Sequence, residues 1–171
     1  MKLTVKYKML TDISHPQIID KGEWIDLRAA KSVSMSGPQV ARAKKDSERK
    51  VSFSTTLLPL GVAMELPKGF EAAINPRSST FLNYHVILGN SQGIIDNPYN
   101  GDNDEWKANL IAFSDVQINK GDRVLQFRIQ PSQKATMWQK LRWLFSNGIK
   151  LVEVDELGNP NRGGHGTTGI K

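Results

Sequence analysis

Leu3, Val5, Tyr7 and Met9 alternate with Lys2, Thr4, Lys6 and Lys8. Successive side chains leave opposite faces of a pleated strand, so a period of two predicts a β-strand with one buried and one wet face. Short apolar runs of the same kind recur at Val51 to Leu57, Val62 to Leu66, Phe70 to Ile74, His85 to Leu88, Leu110 to Phe113, Val124 to Ile129 and Ile149 to Val154. Turn-forming residues stand between them, as in Leu66-Pro67-Lys68-Gly69 and Asn119-Lys120-Gly121-Asp122. Many short strands punctuated this way predict an all-β barrel or sandwich.

One segment carries a helical period instead. Between Ser132 and Gly148, the residues Met137, Trp138, Leu141, Leu144 and Phe145 recur at helical spacing. Ser132, following Pro131, is placed to cap the start, and Asn147-Gly148 to end it. Such a helix can pack on the β framework or bind a partner. Trp143 lies off the apolar stripe beside Lys140 and Arg142, the kind of aromatic anchor that partner contacts use. Ser36 to Lys50 is charged and almost without large apolar residues, so it reads as an inserted solvated loop or short helix. No internal repeat or low-complexity segment is visible.

The 171 residues suit one domain with its own core. Lysine and arginine number 23 against 17 aspartates and glutamates, a formal net charge of +6 that favours a polyanionic partner. No recognised nucleic-acid motif accompanies the charge, so a nucleotide is the better match and nucleic acid the weaker one. The absence of cysteine excludes disulfides and thiolate metal sites and suits a reducing compartment. No apolar run approaches the roughly 18 residues of a membrane span, and Lys2, Leu3, Thr4 and Val5 do not build a signal-peptide core. A soluble, cytoplasmic protein without membrane contact is expected.

Three segments can carry chemistry. Gly93-Ile94-Ile95-Asp96-Asn97-Pro98-Tyr99 follows a turn-prone Gly89-Asn90-Ser91-Gln92. A carboxylate at a hairpin edge can orient and deprotonate water, although Asp-Asn-Pro-Tyr is equally an ordinary turn. Asn75-Pro76-Arg77-Ser78-Ser79-Thr80 offers a guanidinium and hydroxyls suited to phosphate oxygens, or again a turn. Asn161-Arg162-Gly163-Gly164-His165-Gly166-Thr167-Thr168-Gly169 is too rich in glycine to support a core. Its backbone N–H groups can wrap phosphates closely, although a disordered tail has the same composition. A Walker lysine and a following helix are both missing from it.

Read in order, these segments resemble the five motifs of the trimeric dUTPases. Asp26-Leu27-Arg28-Ala29-Ala30 is similar to the first, Pro76-Arg77-Ser78-Ser79 to the second, and Gly93-Ile94-Ile95-Asp96 through Tyr99-Asn100-Gly101 to the third. Gly121-Asp122-Arg123-Val124-Leu125-Gln126 is similar to the fourth and Gly163-Gly164-His165-Gly166-Thr167-Thr168-Gly169 to the fifth. The resemblance runs from Lys2 to Gly169 apart from the insertions at 36–50 and 132–148, the second placed where staphylococcal phage dUTPases carry extra sequence. It implies a jelly-roll-like β-barrel domain over 1–160 and a glycine-rich arm over 161–171 that closes on the nucleotide. It further implies a homotrimer whose active sites are shared between chains, and Mg²⁺-dependent conversion of dUTP to dUMP and pyrophosphate.

The residue roles follow from the same resemblance. Asp96 is the implied general base for water attacking the α-phosphorus. Asp26 reaches Mg²⁺ through water, which agrees with that ion's habit of keeping waters and binding through substrate phosphates. Arg77, Ser78 and Ser79 contact the phosphates, and Gln126 the α-phosphate region or the attacking water. Asn90 and the backbone of Gly93, Ile94 and Ile95 read uracil, and Tyr99 lies against the deoxyribose. Arg162, Gly163, Gly164, His165, Gly166, Thr167 and Thr168 form the phosphate-gripping arm. The chain departs from the family pattern at three places. His165 stands where phenylalanine usually stacks on the base, Arg162 lies nearer to it than the family's arginine does to its aromatic, and Trp24-Ile25 replaces a Gly-containing pair before Asp26. Two alternatives remain: dCTP deaminase, which shares fold and trimeric plan, and a mainly regulatory protein that binds a repressor of a mobile genetic element, as staphylococcal phage dUTPases can.

Overall fold

The computed structural model describes residues 1–41 and 50–164. Leu3, Val5 and Tyr7 are buried in β1 (Leu3–Met9) while Thr4 and Lys6 are exposed, the alternation that the sequence prescribes. Most of the remaining strands fall where apolar runs predict them: β5 (Val51–Ser52) and β6 (Thr55–Pro59), β7 (Val62–Glu65), β8 (Phe70–Pro76), β9 (Val86–Leu88), β11 (Lys107–Ala112), β13 (Arg123–Pro131) and β14 (Ile149–Glu153). Shorter strands join them where no long apolar run announces one, namely β2 (Ile25–Arg28), β3 (Val33–Met35), β4 (Gln39–Val40), β10 (Gly93–Ile95) and β12 (Val116–Ile118). The all-β, jelly-roll-like expectation holds. Among the described residues the ladders form separate sheets, ordered β14-β1-β7, β10-β8-β13-β2, β6-β11-β9, β12-β3 and β4-β5.

The inward faces of the larger sheets meet in one core. Trp106, Phe70 and Phe127 are fully buried there, and the Trp106 and Phe127 rings meet edge to face with centroids 5.1 Å apart. A register shift between Arg123 and Leu125 against β2 is a bulge, which lets Val124 and Leu125 both turn inward. Trp106→Ala removes the largest core side chain, so it should cost about 3–5 kcal/mol of stability, read as a lower denaturant midpoint at unchanged slope.

Two helices interrupt the strands. The short α1 (Thr80–Tyr84) ends on His85 in the left-handed region at φ 49°; five residues are too few for a periodic signal. The expected long helix is α2 (Met137–Leu144), shorter than the segment from Ser132 to Gly148. Its cap is Thr136 and not Ser132: the Thr136 hydroxyl accepts from Gln139 N while the Gln139 side chain accepts from Thr136 N, a reciprocal pair that needs the three-residue spacing which Ser132 lacks. None of the α2 residues is buried, and Met137, Trp138, Leu144 and Phe145 are exposed, so its apolar stripe stands clear of the core. In the insertion at 36–50, Gln39–Val40 form β4, which pairs antiparallel with β5 just beyond it, so part of the expected loop or short helix is strand; residues 42–49 lie outside the described residues. No helix among the described residues is long and apolar enough to cross a membrane.

Candidate active site

β2, β13 and β8 lie side by side, with Asp26 opposite Gln126 and Gln126 opposite Asn75. Directly opposed side chains leave the same face of a sheet, so these three form a polar row across it. Arg77, just past β8, and Arg123, at the bulge of β13, both turn onto Asp26. Arg77 Nε donates to Oδ1 at 2.7 Å and Arg123 Nη1 to Oδ2 at 3.1 Å. Two guanidiniums on one carboxylate leave a surplus positive charge suited to an anion. Gln126 Nε2 donates to Pro76 O at 3.3 Å.

The turn that carries Arg77 is fixed from below. Thr80 is buried; its hydroxyl donates to Val124 O at 2.6 Å and accepts from Arg77 N at 3.0 Å. Ser78 is exposed on that turn, and Ser79 leads into α1 without a side-chain cap bond, which leaves its hydroxyl uncommitted to the helix.

A second group of residues encloses a cavity of about 340 Å³, within the size range of small-molecule sites. Asn90, Gly93, Ile94, Ile95, Asp96, Tyr99, Arg162, Gly163 and Gly164 all line it, with Ile74, Lys107 and Asn109. Neither Asp26, Arg77, Arg123 nor Gln126 does. Strand β8 explains the separation: Ile74 lines the cavity while its neighbour Asn75 stands in the polar row, and adjacent side chains leave opposite faces. His165, Gly166, Thr167 and Thr168 lie outside the described residues.

The expected hairpin takes a different form. β9 and β10 are joined by the Gly89–Gln92 turn, yet β9 pairs with β11 and β10 with β8. Splaying the two strands into separate sheets opens the cavity between them. The turn itself is tight, with Ser91 at φ 61° and Ser91 N donating to Leu88 O at 3.1 Å.

Asp96 follows β10 on a turn closed by Tyr99 N donating to Asp96 O at 3.0 Å. Asn97 Nδ2 donates to both Leu66 O and Pro67 O at 3.0 Å, which ties this turn to the β7–β8 connection. Asp-Asn-Pro-Tyr is thus an ordinary turn, and it presents an exposed carboxylate at the cavity. Tyr99 OH donates to Glu105 O at 2.9 Å; burial holds this phenol above its ordinary range, reinforced by the Asp104 and Glu105 charges, so it stays neutral. Arg162 Nη1 lies 3.2 Å from Asp96 Oδ2, and so the arginine of the arm meets the candidate base in the cavity group, apart from the Asp26–Arg77 cluster.

Sequence reasoning gave no role to Arg123, Asn97, Lys107 or Asn109. Arg123 sits inside a quoted motif, but only strand register shows that it shares Asp26 with Arg77. Lys107 and Asn109 carry no motif signal and enter through their place on β11.

The loop after Tyr99 supports the start of the arm. Asp102 accepts from Leu157 N at 2.9 Å, Gly158 N at 3.2 Å and Lys8 Nζ at 3.0 Å; the Leu157 amide first, then Lys8, hold its carboxyl below the ordinary range. Burial alone would raise Asp104, but amides of Arg162, Gly101, Gly163 and Asn100 outweigh it and hold the carboxyl low. A carboxyl depressed on folding contributes stability that is complete above the unfolded value of about 4 and is lost as pH falls through the lower folded value. The amide resonances of Arg162 and Gly163 should therefore hold steady as pH falls past about 4 and shift only below it. A midpoint at or above that pH contradicts the assignment.

A β domain with a ligand-sized cavity on one face of a sheet and a cationic polar row on the other has the features of a small-molecule protein with an affinity for anions. A family model described as dUTPase matches residues 42–142. The SPbeta prophage-derived deoxyuridine 5'-triphosphate nucleotidohydrolase of Bacillus subtilis (strain 168) is 44% identical over 173 positions, covering 100% of both chains. The deoxyuridine 5'-triphosphate nucleotidohydrolase of Hydrogenobaculum sp. (strain Y04AAS1) is 41% identical over 123 positions, which is 70% of this chain and 74% of that one. The chain belongs to the dUTPase family, enzymes of the dUTP diphosphatase type. Its fold is shared with the dUTPase of Streptococcus mutans, at TM-score 0.60 and 22% identity over 77% of this chain and 98% of that one. It is also shared with the dUTPase of phage phi11 of S. aureus, at TM-score 0.59 and 16% identity over 78% and 94%.

Proposed function

We propose that this chain hydrolyses dUTP to dUMP and pyrophosphate by water attack on the α-phosphorus, in a homotrimer whose active sites are shared between chains. The observation that carries this reading is the division of the candidate residues between two faces of one sheet. Among the described residues none of Asp26, Arg77, Arg123 and Gln126 lines the cavity, which supports a site completed by a second copy that brings its polar row to the cavity mouth.

In this reading Asn90 and the β10 backbone read the edge of uracil, and the wall formed by Gly93 to Ile95 leaves no room for the methyl group of thymine. Tyr99 lies against the sugar and excludes a 2′-hydroxyl. Asp96 holds and deprotonates the attacking water. Arg77, Ser78, Ser79 and Gln126 bind the phosphates, and the arm from Arg162 through Gly163, Gly164, His165, Gly166, Thr167 and Thr168 closes over them. The Arg162–Asp96 pair is partly exposed and contributes about 0–1 kcal/mol, so a triphosphate can draw the guanidinium away and release the base.

No cluster of three metal-ligating side chains occurs among the described residues. Asp26, with each oxygen already engaged by a guanidinium, fits a partner of Mg²⁺ that acts through water. A bound Mg²⁺ would neutralise charge on the triphosphate. The phage phi11 dUTPase is described as coordinating a structural Mg(II) ion, which supports the same ion here. Pyrophosphate release measured over all dNTPs, with and without Mg²⁺, tests the reading: release from dUTP alone, only with the ion, is expected. Ammonia from dCTP without pyrophosphate from dUTP would establish the deaminase alternative.

The exposed face of α2 supports a second, regulatory role in the host cytoplasm. Phage dUTPases of Staphylococcus bacteriophage 80alpha are described as controlling transfer of virulence genes, and Met137, Trp138, Leu144 and Phe145 offer a repressor an apolar surface. Replacing 132–148 by a short turn should weaken repressor binding more than dUTP turnover. Equal affinity in a well-folded variant overturns this role.

A further inference from the structure

Asp104 is 1% exposed, and a buried carboxylate is costly unless hydrogen bonds compensate it. Its compensation comes from its own loop and from the arm. Oδ2 accepts from Arg162 N at 2.9 Å and Oδ1 from Gly163 N at 3.0 Å, while Gly101 N donates to Oδ2 at 2.9 Å from the carboxylate's own loop. Two further contacts seat the same stretch. Asn103 N donates to Asn161 Oδ1 at 2.8 Å, and a Cβ at Gly101 would lie 2.6 Å from Asn161 Cα and 2.8 Å from its N, so only glycine lets the arm lie this close. Gly163 then turns the chain at φ 71°, and Gly164 passes so near the Tyr99 ring that a Cβ there would lie 3.1 Å from it.

We propose that Asp104 is a positioning residue for the reaction: by gripping the Arg162 and Gly163 amides it fixes where the glycine-rich arm enters the cavity, so that Arg162 meets Asp96 and Gly164 meets Tyr99. Asp102 ties down Leu157 and Gly158 further back, whereas Asp104 grips the backbone of the two residues at which the arm reaches the cavity. The carboxylate does not line the cavity, and its effect passes through the arm. A neutral amide at this position has one oxygen for the two arm amides and sets an NH₂ donor against one of them. The kinetic part of this inference rests on the dUTPase reading; the structural part does not.

The test uses full-length Asp104→Asn and Gly101→Ala. The second keeps the carboxylate and blocks the seat, so it carries the test if the first folds poorly. Trypsin cleavage after Arg162 releases the peptide 163–171, which mass spectrometry can time. Release about ten- to a hundredfold faster in both variants is expected, the scale of one lost charge-assisted hydrogen bond. kcat for dUTP should fall by a similar factor, with KM rising less because Asn90, Ile94, Ile95 and Tyr99 still line the cavity. Wild-type release rates overturn the proposal, as does a fall in kcat without faster release. If neither wild type nor variants turn over dUTP, the dUTPase reading fails while peptide release still decides the positioning role.

Discussion

Asp96→Asn should lower kcat for dUTP by roughly two to four orders of magnitude, the scale of a lost general base, while nucleotide affinity stays within a few-fold. The expectation follows from how the residue is held. The turn is closed through the Asp96 carbonyl and anchored by Asn97, so neither support uses the carboxylate and an isosteric amide leaves the cavity wall in place. Among the described residues the only charged partner of the carboxylate is the partly exposed Arg162, whose loss costs at most about 1 kcal/mol and does not threaten the fold. What disappears is the capacity to take a proton from water at the cavity mouth. Single-turnover kinetics beside equilibrium binding of a non-hydrolysable analogue separate the two effects, and near-normal turnover would remove Asp96 from its role.

Arg77→Ala should reduce kcat/KM for dUTP by about two to four orders of magnitude, since a guanidinium commonly makes two charge-assisted bonds, each worth about 1.5–3 kcal/mol. Arg77→Lys should recover little of it, because a lysine cannot hold Asp26 through Nε and present a second donor in the same plane. The same variant tests the sharing of sites. Arg77 lies in the polar row and Asp96 in the cavity, and the proposal draws these from different chains. Mixing inactive Asp96→Asn and Arg77→Ala chains after dissociation should then restore up to about a quarter of wild-type activity, the fraction of sites that random association leaves with both groups intact. No recovery on mixing, with assembly verified, contradicts a shared site.

The strands with a clean period of two were legible because one face of each packs on the core, as Leu3, Val5 and Tyr7 do in β1. The short strands β3, β4 and β12 were not, since two or three residues hold too few alternations to exceed chance; they exist through pairing with partners elsewhere along the chain. Misplacing the cap of α2 has a similar origin: Ser132 and Thr136 are both plausible caps in isolation, and only Gln139 at the third position after Thr136 decides between them. At the site, residue types and order pointed to Asp96, Tyr99, Arg77 and Gln126. The splayed β9–β10 turn, the sharing of Asp26 by Arg77 and Arg123, and the seat that Asp104 makes for the arm depend on register and burial, which no local pattern encodes.

Hydrolysis of dUTP with Mg²⁺ in water enriched in oxygen-18, followed by mass spectrometry of both products, tests the central claim most directly. Attack of an Asp96-held water at the α-phosphorus places one heavy oxygen in dUMP and none in pyrophosphate. Heavy oxygen in pyrophosphate, or dUTP left intact, would contradict the account.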